Sequence, residues 1–155
     1  MLSKEDFSEI IKNSPIFSLD LVIINEHDEL LLGKRLNAPA KGFWFVPGGR
    51  VFKQERLEDA FLRISEAEIG CCLNRQDAHL LGIFDHIYED SVFSSDIPTH
   101  YINAAYFVKV KTTDLKLPLG EQHLHYRWLN LSEVKDDATV HTYSKIFLEK
   151  LLQVV

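Results

Sequence analysis

One carboxylate in this chain occupies a position where a negative charge is unfavourable. Glu68 follows Phe61 by seven residues and Ile64 by four, so a helix through this segment would direct Glu68 along its apolar side. Glu68 also falls in the last turn before Gly70, where the helix dipole disfavours negative charge. Such a carboxylate needs a solvated edge, an Arg or Lys partner, or a bound metal ion beside it.

The segment that carries Glu68 has the pattern of an amphipathic helix. Apolar residues recur at i, i+3, i+4, i+7 and i+10, at Leu57, Ala60, Phe61, Ile64 and Ala67. Glu55, Glu58 and Asp59 would lie in its first turns, which suits the dipole, and Gly70 suits the residue after its end. Before this helix, residues 43–46 predict a short strand ended by Pro47-Gly48-Gly49.

The rest of the chain predicts strands with a terminal helix. Residues 19–24 and 30–33 predict a hairpin. Further strands are expected near residues 80–88, 101–110 and 126–129, a capped turn at Asn130 or Ser132, and a helix over residues 144–152. This order predicts an α+β fold with helices packed on sheet faces. The 155 residues fit one domain covering positions 1–155.

Composition narrows the classes of function. The net charge of −6 argues against a nucleic-acid-binding surface, which would normally be basic. The longest apolar runs are far too short to span a bilayer, and the first seven residues carry no apolar leader segment. Cys71 and Cys72 are adjacent and poorly placed for a mutual disulfide. A reduced, cytoplasmic protein with no membrane partner is therefore expected.

The spacing around the glycine pair matches a known motif. Gly49, Glu55, Arg63, Glu68 and Gly70 agree in register with the Nudix box, and residues 43–47 lead into it as they do in that family. The chain therefore resembles the Nudix hydrolases. This resemblance implies a Nudix fold, in which a mixed β-sheet is sandwiched between α-helices. It also implies a loop–helix–loop that holds a divalent metal against a diphosphate.

Two departures from the box indicate a different chemistry. The usual acids after the Arg and before the last Glu are Ile64 and Ala67 here. Either the protein is a silent nucleotide-sugar sensor, or it uses one metal and a base from elsewhere. The second pattern resembles the GDP-mannose mannosyl hydrolase subgroup. The resemblance extends over residues 18–20, 32–35, 42–51, 99–101 and 121–123.

The subgroup resemblance implies a metal site and a general base. It assigns one Mg²⁺ per subunit, replaceable by Mn²⁺, to the Gly48 carbonyl, Glu68 and Gln122. Oxygen ligands of this kind are those that Mg²⁺ prefers. His123 adjoins Gln122 and is the candidate base, because a neutral imidazole accepts a proton from water near neutral pH.

The same resemblance assigns the substrate contacts. Arg35 and Arg50 would bind the diphosphate, for which a guanidinium offers a fork of donors. Tyr101 would donate to the same group, and Asp20 and His86 would bind sugar hydroxyls or stabilise charge at the anomeric carbon. Arg63 and Glu55 would support the site, and Arg63 could instead hold Glu55 or the loop.

Phe7 would stack on guanine, and Leu2 would also contact the substrate. The alternative for Phe7 is a hydrophobic staple on an N-terminal helix over residues 4–12. The subgroup is dimeric with its N-terminal segment near the partner's site, so a homodimer is expected.

These assignments predict a specific reaction. Water would attack the anomeric carbon of a GDP-sugar with inversion, giving GDP and the free sugar. GDP-mannose is the expected substrate, and the sequence does not separate it from GDP-glucose or GDP-fucose. The main alternative is a pyrophosphohydrolase that attacks phosphorus and gives GMP and a sugar 1-phosphate.

Overall fold

The computed structural model describes residues 2–117 and 123–153, and only the backbone of residues 123 and 124. The helices are Lys4–Asn13 (α1), Leu57–Ile69 (α2), Leu131–Val134 (α3) and Thr142–Leu151 (α4). The strands are Ile16–Ile24 (β1), Glu29–Arg35 (β2), Trp44–Phe45 (β3), Gly48–Arg50 (β4), His79–Tyr88 (β5), Thr99–Lys109 (β6) and His123–Asn130 (β7). Two 3₁₀ turns are formed by Arg75–Asp77 and Thr112–Asp114.

The seven strands form one mixed sheet. Its order is β3-β2-β1-β6-β5, and β4 pairs with β1 while β7 pairs with β2. Strands β1 and β6 run parallel in a continuous register from Ile16↔Tyr101 to Ile24↔Lys109. The other pairings between strands are antiparallel. Strand β1 therefore meets β2 at one end and β4 at the other along the same edge.

Two hydrophobic clusters lie on opposite faces of this sheet, because side chains alternate along β1. Leu19, Leu21 and Ile23 pack against α2, through residues such as Phe61. Val22 and Ile24 pack on the other face with Phe147 and Leu151 of α4. The expected α+β arrangement, a mixed sheet between helices, is confirmed.

Helix α2 ends where the sequence predicts, but it begins later in the chain than predicted. Gly70 takes a left-handed conformation with φ of 65° at its C-terminus, where an added Cβ would overlap the Lys116 carbonyl oxygen. The expectation that Glu55 lies in the first turn is wrong. The helix starts at Leu57, and Glu55 lies in the preceding loop, where its carboxylate accepts from the Phe52 backbone N–H at 3.0 Å.

Strand β4 was not expected, because glycines are disfavoured in strands. Gly48 and Gly49 nevertheless pair with Asp20 and Leu19 of β1. A Cβ at Gly48 would overlap Asp20 Oδ1 and lie 2.5 Å from the Leu19 carbonyl oxygen. Close approach of the two backbones therefore explains the glycine. Within the described residues, no helix is both long and apolar enough to cross a membrane.

Candidate active site

A cleft of about 290 Å³ opens beside β4, on the sheet face that also carries α4. Its polar lining comes from several elements that are distant in sequence. We call four of its buried polar side chains the cleft floor: Ser18, Asp20, His86 and Asn103. We call its half-exposed polar and aromatic side chains the cleft rim: Phe7, Arg35, Arg50, Tyr88 and Tyr101.

Asp20 is the acidic group of the cleft floor. It is 7% exposed, and its Oδ2 has no hydrogen-bond partner among the described residues. Burial raises the pKa of Asp20 to about 7. A hydrogen bond from Asn103 and the charge of Arg35 act to lower that pKa, and the charge of Glu68 acts to raise it. Asp20, Arg35 and Glu68 therefore lie close enough to interact electrostatically.

The residues around Gly48 fit a divalent cation. Glu68 is 6% exposed near the end of α2, and the carboxyl group of Asp20 lies against Gly48 through its Oδ1. This is a set of hard oxygen donors, as Mg²⁺ requires. Over residues 2–117 and 123–153, no three or more His, Cys, Asp or Glu side chains are grouped to hold a metal ion. Carbonyl or amide oxygens, substrate phosphates and water would complete its coordination.

Arg35 and Arg50 supply the positive charge of the cleft rim. The Nε of Arg35 donates to the Pro39 carbonyl oxygen at 2.9 Å, which fixes the base of its guanidinium and leaves its terminal nitrogens for a ligand. In the part of the chain that the structure describes, neither arginine forms a salt bridge. Both are therefore available for an anion.

The Arg50 guanidinium is held in an aromatic stack. Its Cζ lies 4.5 Å from the ring centre of Phe7 and 4.6 Å from that of Phe52. Arg63 packs on Phe52 at 3.9 Å. Arg63 also donates to both oxygens of Glu55, at 2.7 and 2.8 Å, and to the Arg50 carbonyl oxygen at 2.9 Å. Arg63 and Glu55 thus brace the stack rather than face the cleft.

His86 contributes an uncharged imidazole to the cleft floor. It is 2% exposed and stacks on Tyr143, with ring centres 4.4 Å apart. Burial and nearby His141 lower the pKa of His86 to about 4, so it is neutral at pH 7. Its Nε2 has no hydrogen-bond partner among the described residues. His86 can therefore hydrogen-bond a ligand, but it does not supply positive charge.

Tyr101 and Tyr88 provide hydroxyl groups at the cleft rim. Burial raises the pKa of both phenols, and the charge of Arg35 opposes the rise. Both therefore remain protonated at neutral pH and are able to donate a hydrogen bond.

The structure adds several cleft residues to those expected from the sequence, among them Tyr88, Asn103 and Ser18. Asn103 is 1% exposed and donates from Nδ2 to Ser18 Oγ at 2.9 Å. A polar residue inside the apolar strand of residues 101–110 was the signal that could have identified it. Ser18 falls within a segment of family resemblance, but no role was expected for it.

Three of the expected site residues are not seen in the cleft. One lies elsewhere, and the side chains of the other two lie outside the described residues. Leu2 is 42% exposed and does not line the cleft. Gln122 lies outside the described residues. The backbone of His123 begins β7 and pairs with Arg35, while its side chain also lies outside the described residues. The backbone of the candidate base therefore lies next to Arg35 in the sheet.

The two departures from the Nudix box differ in environment. Ile64 is 2% exposed and belongs to the cluster under α2. Its side-chain carbons lie 3.2–3.6 Å from where a Cβ of Gly49 would be. Ala67 is exposed to solvent. Ile64 therefore fills core space beneath the glycine loop, where it cannot be exchanged for an acid without cost.

Comparisons with known proteins agree with this geometry. The NUDIX domain family model matches residues 16–151. The low-salt glycan biosynthesis protein Agl8 of Haloferax volcanii is 40% identical over 119 residues, which cover 77% of this chain and 73% of Agl8. A MutT NUDIX hydrolase from Burkholderia pseudomallei superposes with a TM-score of 0.73 at 27% identity, over 90% of this chain and 99% of that one.

A more distant structure shares the fold alone. The NUDIX domain of NrtR from Shewanella oneidensis, solved with ADP ribose, has a TM-score of 0.69 at 16% identity, and the match covers 98% of each chain. Nudix hydrolases generally use a divalent metal such as Mg²⁺. Because the family model covers most of the chain and the fold and box agree with it, this protein belongs to the Nudix hydrolase family.

Proposed function

We propose that this protein hydrolyses a GDP-sugar, with GDP-mannose as the expected substrate, to GDP and the free sugar. The observation that carries the proposal is the uneven polarity of the cleft. Arg35 and Arg50 provide cations at its rim, whereas Asp20, Asn103 and neutral His86 provide hydrogen-bonding groups on its floor. A ligand that joins an anionic diphosphate to a group rich in hydroxyls matches both parts.

The bond that breaks is inferred from helix α2. Attack on phosphorus in ordinary family members uses the box acids that are Ile64 and Ala67 here. Because Ile64 is built into the core and Ala67 carries no acid, Glu68 is the carboxylate that remains at the usual acidic box positions of this helix. A single-metal site with its base elsewhere supports cleavage between the sugar carbon and the phosphate oxygen.

The chain's own groups then have defined tasks. His123 takes a proton from water as the water oxygen bonds to the anomeric carbon. The bond from that carbon to the diphosphate oxygen breaks, and its electron pair leaves with GDP, which Arg35 binds. The Asp20 carboxylate faces the positive charge that develops on the sugar. A divalent cation held by Glu68, the Gly48 carbonyl and Gln122 would supply further charge neutralisation for the leaving diphosphate.

The relatives support a nucleotide-sugar substrate of this class. Agl8 is named for glycan biosynthesis, and intermediates of glycan assembly include activated sugars. We also propose that the protein is a cytoplasmic homodimer. Light scattering coupled to gel filtration tests its oligomeric state, and a monomeric mass at working concentrations would contradict that part.

The decisive experiment is hydrolysis of GDP-mannose with Mg²⁺ in ¹⁸O-labelled water, followed by mass spectrometry. The label is expected in the sugar and not in any phosphate, and early NMR spectra should show the inverted anomer. GMP and mannose 1-phosphate as main products would refute the proposal. Parallel reactions with ADP-ribose and other GDP-sugars test the nucleotide and sugar assignments.

A further inference from the structure

A buried amide on the cleft floor has one unsatisfied atom. Asn103 is 1% exposed, and its Oδ1 has no hydrogen-bond partner among the described residues. Leaving a buried carbonyl oxygen unpaired costs about 1–3 kcal/mol. Because Asn103 lines the cleft, a bound ligand is able to remove this cost.

The surroundings of Asn103 fix which end of the amide remains open. Its Nδ2 donates to Ser18 Oγ at 2.9 Å, and Asn103 acts to lower the pKa of Asp20, as a hydrogen-bond donor to that carboxyl group does. Both interactions engage the nitrogen end of the amide. The oxygen is therefore the atom left for a ligand.

The strand register makes this arrangement stiff. Ser18 and Asn103 are direct partners in the parallel pairing of β1 and β6, and Asp20 is the next residue on the same face of β1. On its other side Asn103 pairs with Phe84 of β5. The amide thus lies in the middle of the sheet, between two paired strands, where its position is set by backbone hydrogen bonds.

The open atom selects for a hydrogen-bond donor. A phosphate presents acceptor oxygens only and would be repelled by Asn103 Oδ1, whereas a sugar hydroxyl donates. The cations that suit phosphate are at the cleft rim, where Arg50 is held between Phe7 and Phe52. The floor and rim therefore recognise different parts of one ligand.

We propose that Asn103, oriented by Ser18, is a specificity-determining residue whose Oδ1 accepts a hydrogen bond from one hydroxyl of the sugar ring. This inference rests on the proposed function, because it takes a nucleotide sugar as the ligand of the cleft. It predicts that one hydroxyl of the sugar matters more than the others for recognition. A site that hydrogen-bonds a hydroxyl discriminates strongly against the analogue lacking it.

The test compares GDP-mannose with its monodeoxy analogues in the wild type and in Asn103→Ala. In the wild type, kcat/KM should fall about 5–150-fold for one analogue, the range that follows from leaving a buried acceptor unpaired. In Asn103→Ala, kcat/KM for GDP-mannose should fall by a similar factor, and that analogue should then react as well as the parent. Ser18→Ala should lose part of the discrimination, because the amide is then oriented by one neighbour fewer.

Two controls separate recognition from folding. Asn25 is also 1% exposed but directly follows β1, at the end far from the cleft, where its Nδ2 donates to Glu29 Oε1. Asn25→Ala is expected to lower the free energy of unfolding without changing the ratio between parent and deoxy sugar. Affinity for GDP alone, measured by calorimetry, should be unchanged in Asn103→Ala, because GDP lacks the sugar ring that the substrate carries on its terminal phosphate.

The outcomes separate this inference from the proposed function. If the wild type cleaves GDP-sugars but Asn103→Ala keeps the wild-type ratios for every analogue, the inference is overturned and the proposed function stands. A loss of Mn²⁺ affinity in Asn103→Ala would also overturn it, by assigning the amide to a cation site. If no GDP-sugar is cleaved, the same analogues are compared by binding, and equal affinity for GDP and GDP-mannose overturns the inference as well.

Discussion

Restoring the two missing box acids one at a time tests how the structure accounts for their absence. Ile64→Glu places a carboxylate where the side chain is 2% exposed and packed under Gly49. Ala67→Glu places the same side chain three residues later on the same helix, at an exposed position. The two variants therefore differ in burial and not in the chemistry of the added group.

The expected cost differs by several kcal/mol. Removing the buried Ile64 side chain forfeits about 1.5–3 kcal/mol of burial, and burying a carboxyl group, even when it is protonated, adds about 1–3 kcal/mol. We expect Ile64→Glu to lower the free energy of unfolding by about 2.5–6 kcal/mol. Ala67→Glu loses only about 0.3–1 kcal/mol through the helix dipole, because it adds a negative charge in the last turns of α2.

Urea denaturation followed by circular dichroism measures both values. Ile64→Val, which keeps an apolar side chain, should cost about 0.5–1.5 kcal/mol and calibrates the contribution of packing alone. Equal stability of the Ile64→Glu and Ala67→Glu variants would refute the reasoning, because it would mean that Ile64 does not pack in the core.

Three further predictions concern the site. Glu68→Gln should weaken Mn²⁺ binding in paramagnetic resonance titrations and strongly lower kcat while circular dichroism stays unchanged; activity that survives chelation would contradict a metal site. His123→Gln should lower kcat by about 10²–10⁴-fold and flatten the acid limb of the pH–rate profile, with much less effect on Mn²⁺ affinity than Glu68→Gln; an unchanged kcat would remove His123 from the mechanism. Because burial lowers the pKa of His86 from 6.5 to about 4, the unfolded chain binds more protons than the folded chain between these values, so stability falls as the pH drops. Between pH 7 and pH 5, His86 should lower the free energy of unfolding by about 2 kcal/mol. Urea denaturation should show that this loss disappears in His86→Phe and persists in His79→Gln, which changes an exposed histidine. An equal pH dependence in both variants would show that His86 is not the cause.

Most of the fold could be predicted because its signals are local. Leu57, Phe61 and Ile64 recur at helical spacing, and the helix they predict is α2. Asn130 was expected to cap a turn, and its side chain accepts from the Ser132 N–H at the start of α3. Strand β4 could not be predicted, since it depends on how closely Gly48 approaches Asp20 across the sheet, which no local pattern encodes.

The residues of the box could be predicted from their spacing. Contacts between residues that are distant in sequence could not. The spacing of Glu55, Arg63 and Glu68 identified the box. Nothing in the sequence showed that Phe52 would lie between Arg50 and Arg63. Asn103 was missed for a related reason, because Ser18 becomes its neighbour only through the parallel register of strands that are 85 residues apart.

One face of strand β1 contributes side chains both to the cleft floor and to the hydrophobic core. Ser18 and Asp20 lie in the cleft, and Val22 and Ile24, the next residues on that face, lie in the core. A one-residue insertion or deletion within β1 would turn Leu19 and Leu21 into the cleft and the polar pair toward α2, so the site and the interior would fail together. New substrates therefore have to be gained here by substitution at alternate positions, whereas changes of length are confined to the loops around the cleft.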